Sequence, residues 1–166
     1  MRKSRRLALC GLVSAIALII MLVGNLIGIG TYASPMLSGL ILTVIGMSAG
    51  KKYQLLSVIA VGLLSLMLLS DWEEILLFIG LLGWYPMVWE YLRKLPKIPR
   101  IIVKLTGFNL IIVGLETLVM KVLMPSVETP LMLVILLILA NILFILYDFL
   151  VPRIMIKLHR KLSRFL

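Results

Sequence analysis

The first thirty residues, MRKSRRLALCGLVSAIALIIMLVGNLIGIG (Met1–Gly30), decide the fold. Four cations lie within the first six residues, and an apolar run follows from Leu7 to Ile29. At about 1.5 Å of rise per residue, this run can cross a hydrocarbon core about 30 Å thick. It is too long for the core of a cleaved signal peptide, and no small-x-small cleavage site ends it cleanly. We therefore interpret it as a retained membrane helix whose basic head sets the orientation of the chain.

The composition points to the same class of protein. The chain has 166 residues, of which 62% are hydrophobic and 14% are charged, whereas about half of an ordinary soluble domain is apolar. The net charge of +10 could indicate a nucleic-acid partner. However, the cations lie at the ends of apolar runs, where the positive-inside rule places them. The composition therefore predicts an all-α polytopic membrane protein that binds no nucleic acid.

Five further apolar runs follow the first, at residues 33–49, 53–69, 75–91, 101–124 and 131–151. The alternation with period two that marks a membrane β-barrel is absent. Residues 1–151 are thus predicted to form a transmembrane domain of six helices. Residues 152–166 are predicted to form a basic amphipathic cytoplasmic tail helix, with Pro152 in its first turn. Such a helix would lie on the anionic leaflet of the membrane or meet an acidic partner.

Charge counting supports this topology. With six alternating spans and a cytoplasmic N-terminus, four carboxylates fall outside, at Asp71, Glu73, Glu74 and Glu128. Only one cation, Lys121, lies toward the outside. The other sixteen lie inside: Arg2, Lys3, Arg5, Arg6, Lys51, Lys52, Arg93, Lys94, Lys97, Arg100, Lys104, Arg153, Lys157, Arg160, Lys161 and Arg164. This asymmetry predicts six spans with both termini in the cytoplasm.

Polar residues inside spans are costly and mark candidate sites. The fifth run carries Asn109 and Glu116, seven residues apart and therefore on one helix face. Glu116 could form a structural ion pair with Lys121, or it could bind a cationic or hydrogen-bonding group or carry a proton. In the sixth run, Asn141 lies at mid-depth, where an amide either joins two helices or contacts a ligand. Nearer the inner end of this run, Asp148 is expected to pair with a cytoplasmic cation.

The outer loops supply further candidates. Asn25 and Tyr32 flank the first outer loop, and Trp72 lies among the acids of the second. The two aromatic residues could belong to the interfacial belt, or they could form a wall over an outward-facing pocket. At the inner ends, Glu90 precedes Lys94 by four residues, which is the favourable order for a helical ion pair.

Enzymatic chemistry is not predicted. No inward His, Ser/Lys or paired-carboxylate constellation occurs at one depth, so we assign no catalytic residue. No His or Cys cluster indicates a metal site, and no nucleotide-binding fingerprint or cofactor motif is present. If the chain takes part in ATP-driven transport, another chain must supply the ATPase.

Small residues recur on one face of the first helix, at Ala8, Gly11 and Ala15. Such a stripe lets another backbone approach closely. The approaching helix could belong to the same chain or to a partner membrane subunit.

Together these features resemble the substrate-binding S component of energy-coupling-factor (ECF) transporters, best over the first three spans. Arg5-Arg6-Leu7-Ala8 is similar to the basic start of the family's first helix. Gly11-x-x-x-Ala15 stands where the family has an Ala-x-x-x-Ala motif. Pro35 after the first outer loop, and Gly50-Lys51-Lys52 before another helix rich in small residues, also fit the family.

The resemblance implies a function in the bacterial cytoplasmic membrane. An S component captures a vitamin, vitamin precursor or metal ion from outside. It then topples in the membrane while bound to a coupling subunit that two cytoplasmic ATPases drive. The polar residues here suit a small organic ligand better than a metal. By position, Ala8, Gly11 and Ala15 would contact the coupling subunit. The substrate pocket would be lined by Asn25, Tyr32, Trp72, Asn109, Glu116 and Asn141.

A different class of function remains open. The MreD family contains bacterial multi-span membrane proteins of similar size that organise partner proteins without transport. The chain lacks the acidic residue that we would expect in the Gly-rich middle of such a scaffold. The proteins that co-purify with the chain would discriminate between the two classes.

Overall fold

The computed structural model describes residues 3–28, 31–118 and 130–162. About 90% of these residues are helical, and none of them forms a strand. A π-helical turn, Phe78–Leu82, connects the fourth helix to the fifth. The α-helices are α1 (Lys3–Ile27), α2 (Ala33–Ser48), α3 (Lys51–Leu68), α4 (Trp72–Leu77), α5 (Tyr85–Leu92), α6 (Lys97–Leu118) and α7 (Pro130–Leu162).

Within the described residues, five helical segments are long and apolar enough to cross a membrane: Lys3–Ile27, Lys51–Leu68, Trp72–Leu92, Lys97–Leu115 and Leu137–Lys157. The remaining segment, α2, is apolar but has only 16 residues. At 1.5 Å per residue it is about 24 Å long, a few ångströms less than a typical hydrocarbon core. The all-α class is therefore confirmed for the described residues, whereas the sixth span remains a prediction.

Cross-helix contacts show that α2, α3 and the fourth segment, Trp72–Leu92, alternate in direction. Ser34 at the start of α2 contacts Glu74 at the start of the fourth segment. Lys51 at the start of α3 contacts Glu90 near the end of that segment. The bundle thus has two chemically different ends. We call the end with Asp71, Glu73 and Glu74 the acidic end, and the end with Lys51, Arg93, Lys97 and Arg100 the basic end.

The short helix α2 lies at the centre of the bundle and contacts α1, α3, the fourth segment and α7. Its packing depends on small residues, which let neighbouring helices approach closely. The Ser38 hydroxyl donates a 2.7 Å hydrogen bond to the Ala17 carbonyl of α1. Gly39 lies so close to the Leu82 carbonyl oxygen that a methyl group would overlap it. Because neighbouring helices enclose α2 on most sides, the packing around α2 sets the positions of these helices at both ends of the bundle.

The fourth apolar run forms a broken helix, although its sequence predicted a continuous one. The π-helical turn is followed by a break at residues 83–84, before α5 begins. Side chains satisfy two backbone carbonyls of this region: Trp84 Nε1 donates to Ile79 at 3.0 Å, and the Tyr147 hydroxyl donates to Leu82 at 3.2 Å. Such partners are what an irregular backbone needs inside a bilayer.

Pro152 lies inside α7, whereas the sequence predicted that a separate tail helix begins there. Helix α7 continues through Pro152 to Leu162, so no break separates the tail from the sixth apolar run. Proline removes one backbone hydrogen bond, the bond to the carbonyl four residues earlier, but spanning helices tolerate it when neighbours compensate. The boundary at 151/152 therefore marks a change of composition within one helix. The end of the predicted fifth run, from residue 119 to Met124, lies outside the described residues.

Candidate functional site

The acidic end is organised by the first turn of α4. Asp71 caps this helix, since its Oδ1 accepts hydrogen bonds from the backbone N–H groups of Glu73 (3.0 Å) and Glu74 (3.4 Å). Side-chain caps of this kind satisfy amides that have no partner within the helix. The cap fixes the start of the helix, and Glu74 then lies on the face shared with Leu77 and Phe78, which are both buried.

Glu74 is the most unusual side chain of this end, because it is charged in its ordinary state and yet fully buried. Its Oε1 accepts a hydrogen bond from the Ser34 hydroxyl of α2. Its Oε2 is buried and has no hydrogen-bond partner among the described residues. Gly24 of α1 makes room for this contact, since a methyl group there would overlap the Ser34 side chain.

Three further hydrogen bonds surround Glu74. The Tyr32 hydroxyl donates to Glu73 Oε1 at 2.6 Å. Thr31 Oγ1 donates to Asp71 Oδ2 at 3.0 Å, and Ser70 Oγ donates to Asn25 Oδ1 at 3.1 Å. These contacts join the α1–α2 connection to the α3–α4 connection. We define the acidic-end cluster as Asn25, Thr31, Tyr32, Ser34, Ser70, Asp71, Glu73 and Glu74.

The chemistry open to this cluster follows from the free oxygen of Glu74. An ionised carboxylate with a desolvated, unpaired oxygen is unstable in an apolar surrounding. Its free energy falls if the oxygen receives a proton, a cation or an N–H or O–H donor. The cluster can therefore accept a donor group, and Asn25 faces the same carboxyl group as a further polar contact.

The structure divides the predicted pocket residues into separate groups. Asn25 and Tyr32 come together at the acidic end. Trp72 is the first residue of α4, directly before Glu73, and 45% of its surface is exposed. The description of the chain does not extend to the Glu116 side chain, so its role stays a prediction.

The other two predicted pocket residues, Asn109 and Asn141, bind each other. Each Nδ2 donates to the other residue's Oδ1, at 2.9 Å and 2.8 Å. Each Nδ2 also donates to a carbonyl of its own helix, at Leu105 and Leu137. Both amides are thus already satisfied, and they join α6 to α7.

The sequence interpretation missed Ser34 and Glu74 as site residues. Glu74 was counted only as one of the outer acids. A signal was nevertheless present, because Glu74 is three residues after the helix cap Asp71 and shares a helical spacing with Leu77, Phe78 and Leu81. Ser34 could not be identified in this way, since it contacts Glu74 from 40 positions away along the chain.

The small-residue stripe of α1 faces away from the bundle. Ala8, Gly11 and Ala15 are all exposed, and a methyl group on Gly11 would meet no atom within 4 Å. The opposite face is buried, at Cys10, Val13, Ala17 and Met21. Within residues 3–28, 31–118 and 130–162, no helix covers the stripe, so it is accessible to lipid or to another protein.

One of the two predicted ion pairs at the basic end is replaced by another. Asp148 pairs at 2.5 Å with Lys104, which is one of the cations predicted to be cytoplasmic. Glu90 pairs with Lys51 of α3 at 2.5 Å, and not with the neighbouring Lys94. Spacing along one helix favoured Lys94, but helix packing brought Lys51 nearer to Glu90.

Comparison of the chain with protein-family models, with curated proteins and with solved structures finds no match. Over residues 3–28, 31–118 and 130–162, no group of three or more His, Cys, Asp or Glu side chains is arranged to hold a metal ion. The candidate site must therefore be interpreted from its own geometry. That geometry combines a buried acceptor at the acidic end with an exposed small-residue stripe on α1.

Proposed function

We propose that this chain is the membrane-embedded substrate-capture subunit of an ECF-type uptake transporter, powered by separate ATPase subunits. It would reside in the bacterial cytoplasmic membrane with six spans and both termini inside. The substrate would be a small organic molecule, such as a vitamin or a vitamin precursor. The observation that carries this proposal is the unpartnered Oε2 of the buried Glu74.

The acidic end would be the outer, substrate-facing end. The positive-inside rule places the basic end in the cytoplasm, which leaves the acidic-end cluster on the side from which nutrients arrive. Glu74 Oε2 would accept a hydrogen bond from an N–H, O–H or ammonium group of the substrate. Asn25 would offer a second polar contact, and the half-exposed Trp72 would supply an aromatic surface beside it.

The exposed stripe of α1 would give the subunit its coupling surface. Ala8, Gly11 and Ala15 leave a shallow strip on which another helix can pack closely. This surface and the acidic-end cluster use different residues. Partner assembly and substrate binding can therefore be tested by separate substitutions.

Affinity purification from the native membrane tests the assembly. The tagged full chain should co-purify with a larger membrane subunit and two ATPases. The double variant G11L/A15L should lose these partners, because leucine side chains would keep another backbone at a distance. Ala60→Leu is the matched control, since Ala60 is also a small exposed residue on a spanning helix.

Two results would contradict the proposed assembly with a coupling subunit and two ATPases. One is partner recovery that is equal for wild type and G11L/A15L. The other is recovery of cytoskeletal or cell-wall proteins alone, which would favour the scaffold alternative.

Mass spectrometry of small molecules released from the purified protein tests the capture site. Glu74→Gln keeps the size of the side chain but removes its charge. A hydrogen bond to a charged group contributes about 1.5–3 kcal/mol, so the bound substrate should fall at least about 10-fold. Glu90→Gln is the control, because Glu90 is a carboxylate of the basic end. Undiminished substrate in folded Glu74→Gln protein would refute the assignment of Glu74.

A further inference from the structure

A cleft of about 570 Å³ opens at the basic end, between α5, α6 and α7. It belongs to the opposite end of the bundle from the acidic-end cluster. Charged and aromatic side chains are prominent in its lining: Trp89, Lys97, Arg100, Lys104, Asp148 and Phe149. Its volume is in the range of ordinary ligand pockets.

The cleft has an excess of positive charge. Three of its side chains are cationic and one is anionic, which gives a formal charge of +2. Lys104 and Asp148 neutralise each other, and the Tyr85 hydroxyl donates a 2.5 Å hydrogen bond to the same Asp148 oxygen that Lys104 contacts. Neither Lys97 nor Arg100 forms an ion pair among the described residues. These two cations are therefore available to an anion from outside the chain.

The walls of the cleft are apolar and open toward the surroundings of the bundle. Ile101 and Ile145 are each 57% exposed, and Phe149 is 53% exposed. Arg153 adds another cation at this rim, 3.8 Å from the centre of the Phe149 ring. A ligand that matches this surface needs an anionic group and long apolar chains. Free phosphate would satisfy the cations but would leave the apolar walls uncovered.

We propose that this cleft binds one anionic phospholipid. The lipid phosphate contacts Lys97 and Arg100, and the acyl chains lie along Ile101, Ile145 and Phe149. Basic pockets between spanning helices are suited to such headgroups, because the cations are held at the depth of the lipid phosphates. The ion pair between Lys104 and Asp148 forms the floor of the cleft and keeps the Asp148 charge from repelling the lipid.

Native mass spectrometry of the full chain in a neutral detergent tests this site. Phosphatidylglycerol is the anionic probe, phosphatidylcholine is the zwitterionic comparison, and inorganic phosphate tests the headgroup chemistry alone. The fraction of protein that carries one bound phosphatidylglycerol should be several times the fraction that carries one phosphatidylcholine. Millimolar inorganic phosphate should not displace the phosphatidylglycerol. Each cation near a headgroup contributes about 1 kcal/mol, so K97Q/R100Q should weaken phosphatidylglycerol binding about 10- to 30-fold.

Matched variants distinguish lipid binding in the cleft from attraction of the lipid by the overall positive charge of the basic end. K52Q/K94Q removes two exposed cations that do not line the cleft, and it should leave lipid binding unchanged. Ile145→Trp narrows the cleft without changing its charge, and it should weaken binding. Equal losses in the two double variants, equal binding of both lipids, or displacement by phosphate would overturn the proposal. None of these outcomes depends on substrate capture at Glu74.

Discussion

The paired amides of Asn109 and Asn141 allow a quantitative test of the helix packing. Asn141→Leu removes both cross-helix hydrogen bonds at once, because each residue is both donor and acceptor in the pair. The remaining Asn109 amide keeps only the bond to its own helix at the Leu105 carbonyl. The double variant N109L/N141L removes both amides, so no amide is left without a cross-helix partner.

The expected coupling energy follows from the number of bonds. A side-chain hydrogen bond between membrane helices contributes about 0.6 kcal/mol on average and about 1.7 kcal/mol at most. Two such bonds give a coupling of about 1.2 kcal/mol, which is about an eightfold change in the unfolding equilibrium. The intrinsic effect of each leucine cancels in the double-mutant cycle.

The assay is reversible unfolding in lipid bicelles for wild type, both single variants and the double variant. A control cycle pairs Asn109→Leu with Ser57→Ala on α3, and these should be additive within about 0.5 kcal/mol. A coupling indistinguishable from the control would mean that the amides do not pair in the membrane. If the variants also lost a bound substrate, the amides would line the pocket as the sequence predicted.

Three further substitutions test other contacts by the same unfolding assay. Gly39→Ala should lower the free energy of unfolding by about 1–3 kcal/mol, because the added methyl group would overlap the Leu82 carbonyl oxygen. Gly107→Ala is the control: this site has open space, so the free energy of unfolding should change by less than about 1 kcal/mol. Tyr147→Phe should cost about 1 kcal/mol because the carbonyl next to the helix break loses its donor. Lys104→Met should cost about 3 kcal/mol because a partly buried carboxylate loses its cation. Equal stabilities of Gly39→Ala and Gly107→Ala, or wild-type stability of either remaining variant, would contradict the corresponding contact.

Hydropathy predicted the helical segments well, because the thickness of a bilayer imposes a length on each apolar run. The run at residues 53–69, for example, corresponds to α3 at Lys51–Leu68. The break after the π-helical turn was not predicted, because one of its carbonyls, that of Leu82, depends on a donor from α7, Tyr147, 65 positions away. The continuation through Pro152 was missed for a related reason. Proline stops a helix in water more reliably than it stops one held by neighbouring helices.

The candidate site was predicted only in part, because burial of a polar side chain depends on which helices meet. Asn25 and Tyr32 were identified from their position at the end of a hairpin, and they do contact the region where α3 ends and α4 begins, Tyr32 at Glu73 and Asn25 at Ser70. Asn109 and Asn141 were chosen because polar residues inside spans are costly. The same cost explains why they bind each other, since mutual pairing satisfies both amides without a ligand.

Satisfaction of polar groups separates structural contacts from the candidate site. The amide pair is complete, and Asp148 receives donors from both Lys104 and Tyr85. Among the described residues, the buried side-chain atoms without a hydrogen bond are Arg6 Nε, Ser48 Oγ, Gln54 Nε2 and Glu74 Oε2. Only the last belongs to a fully buried ionisable side chain, since Arg6 is partly exposed, and an uncompensated buried charge is costly. A bound proton, cation or donor would remove that cost, so the first ligand search should be directed at Glu74.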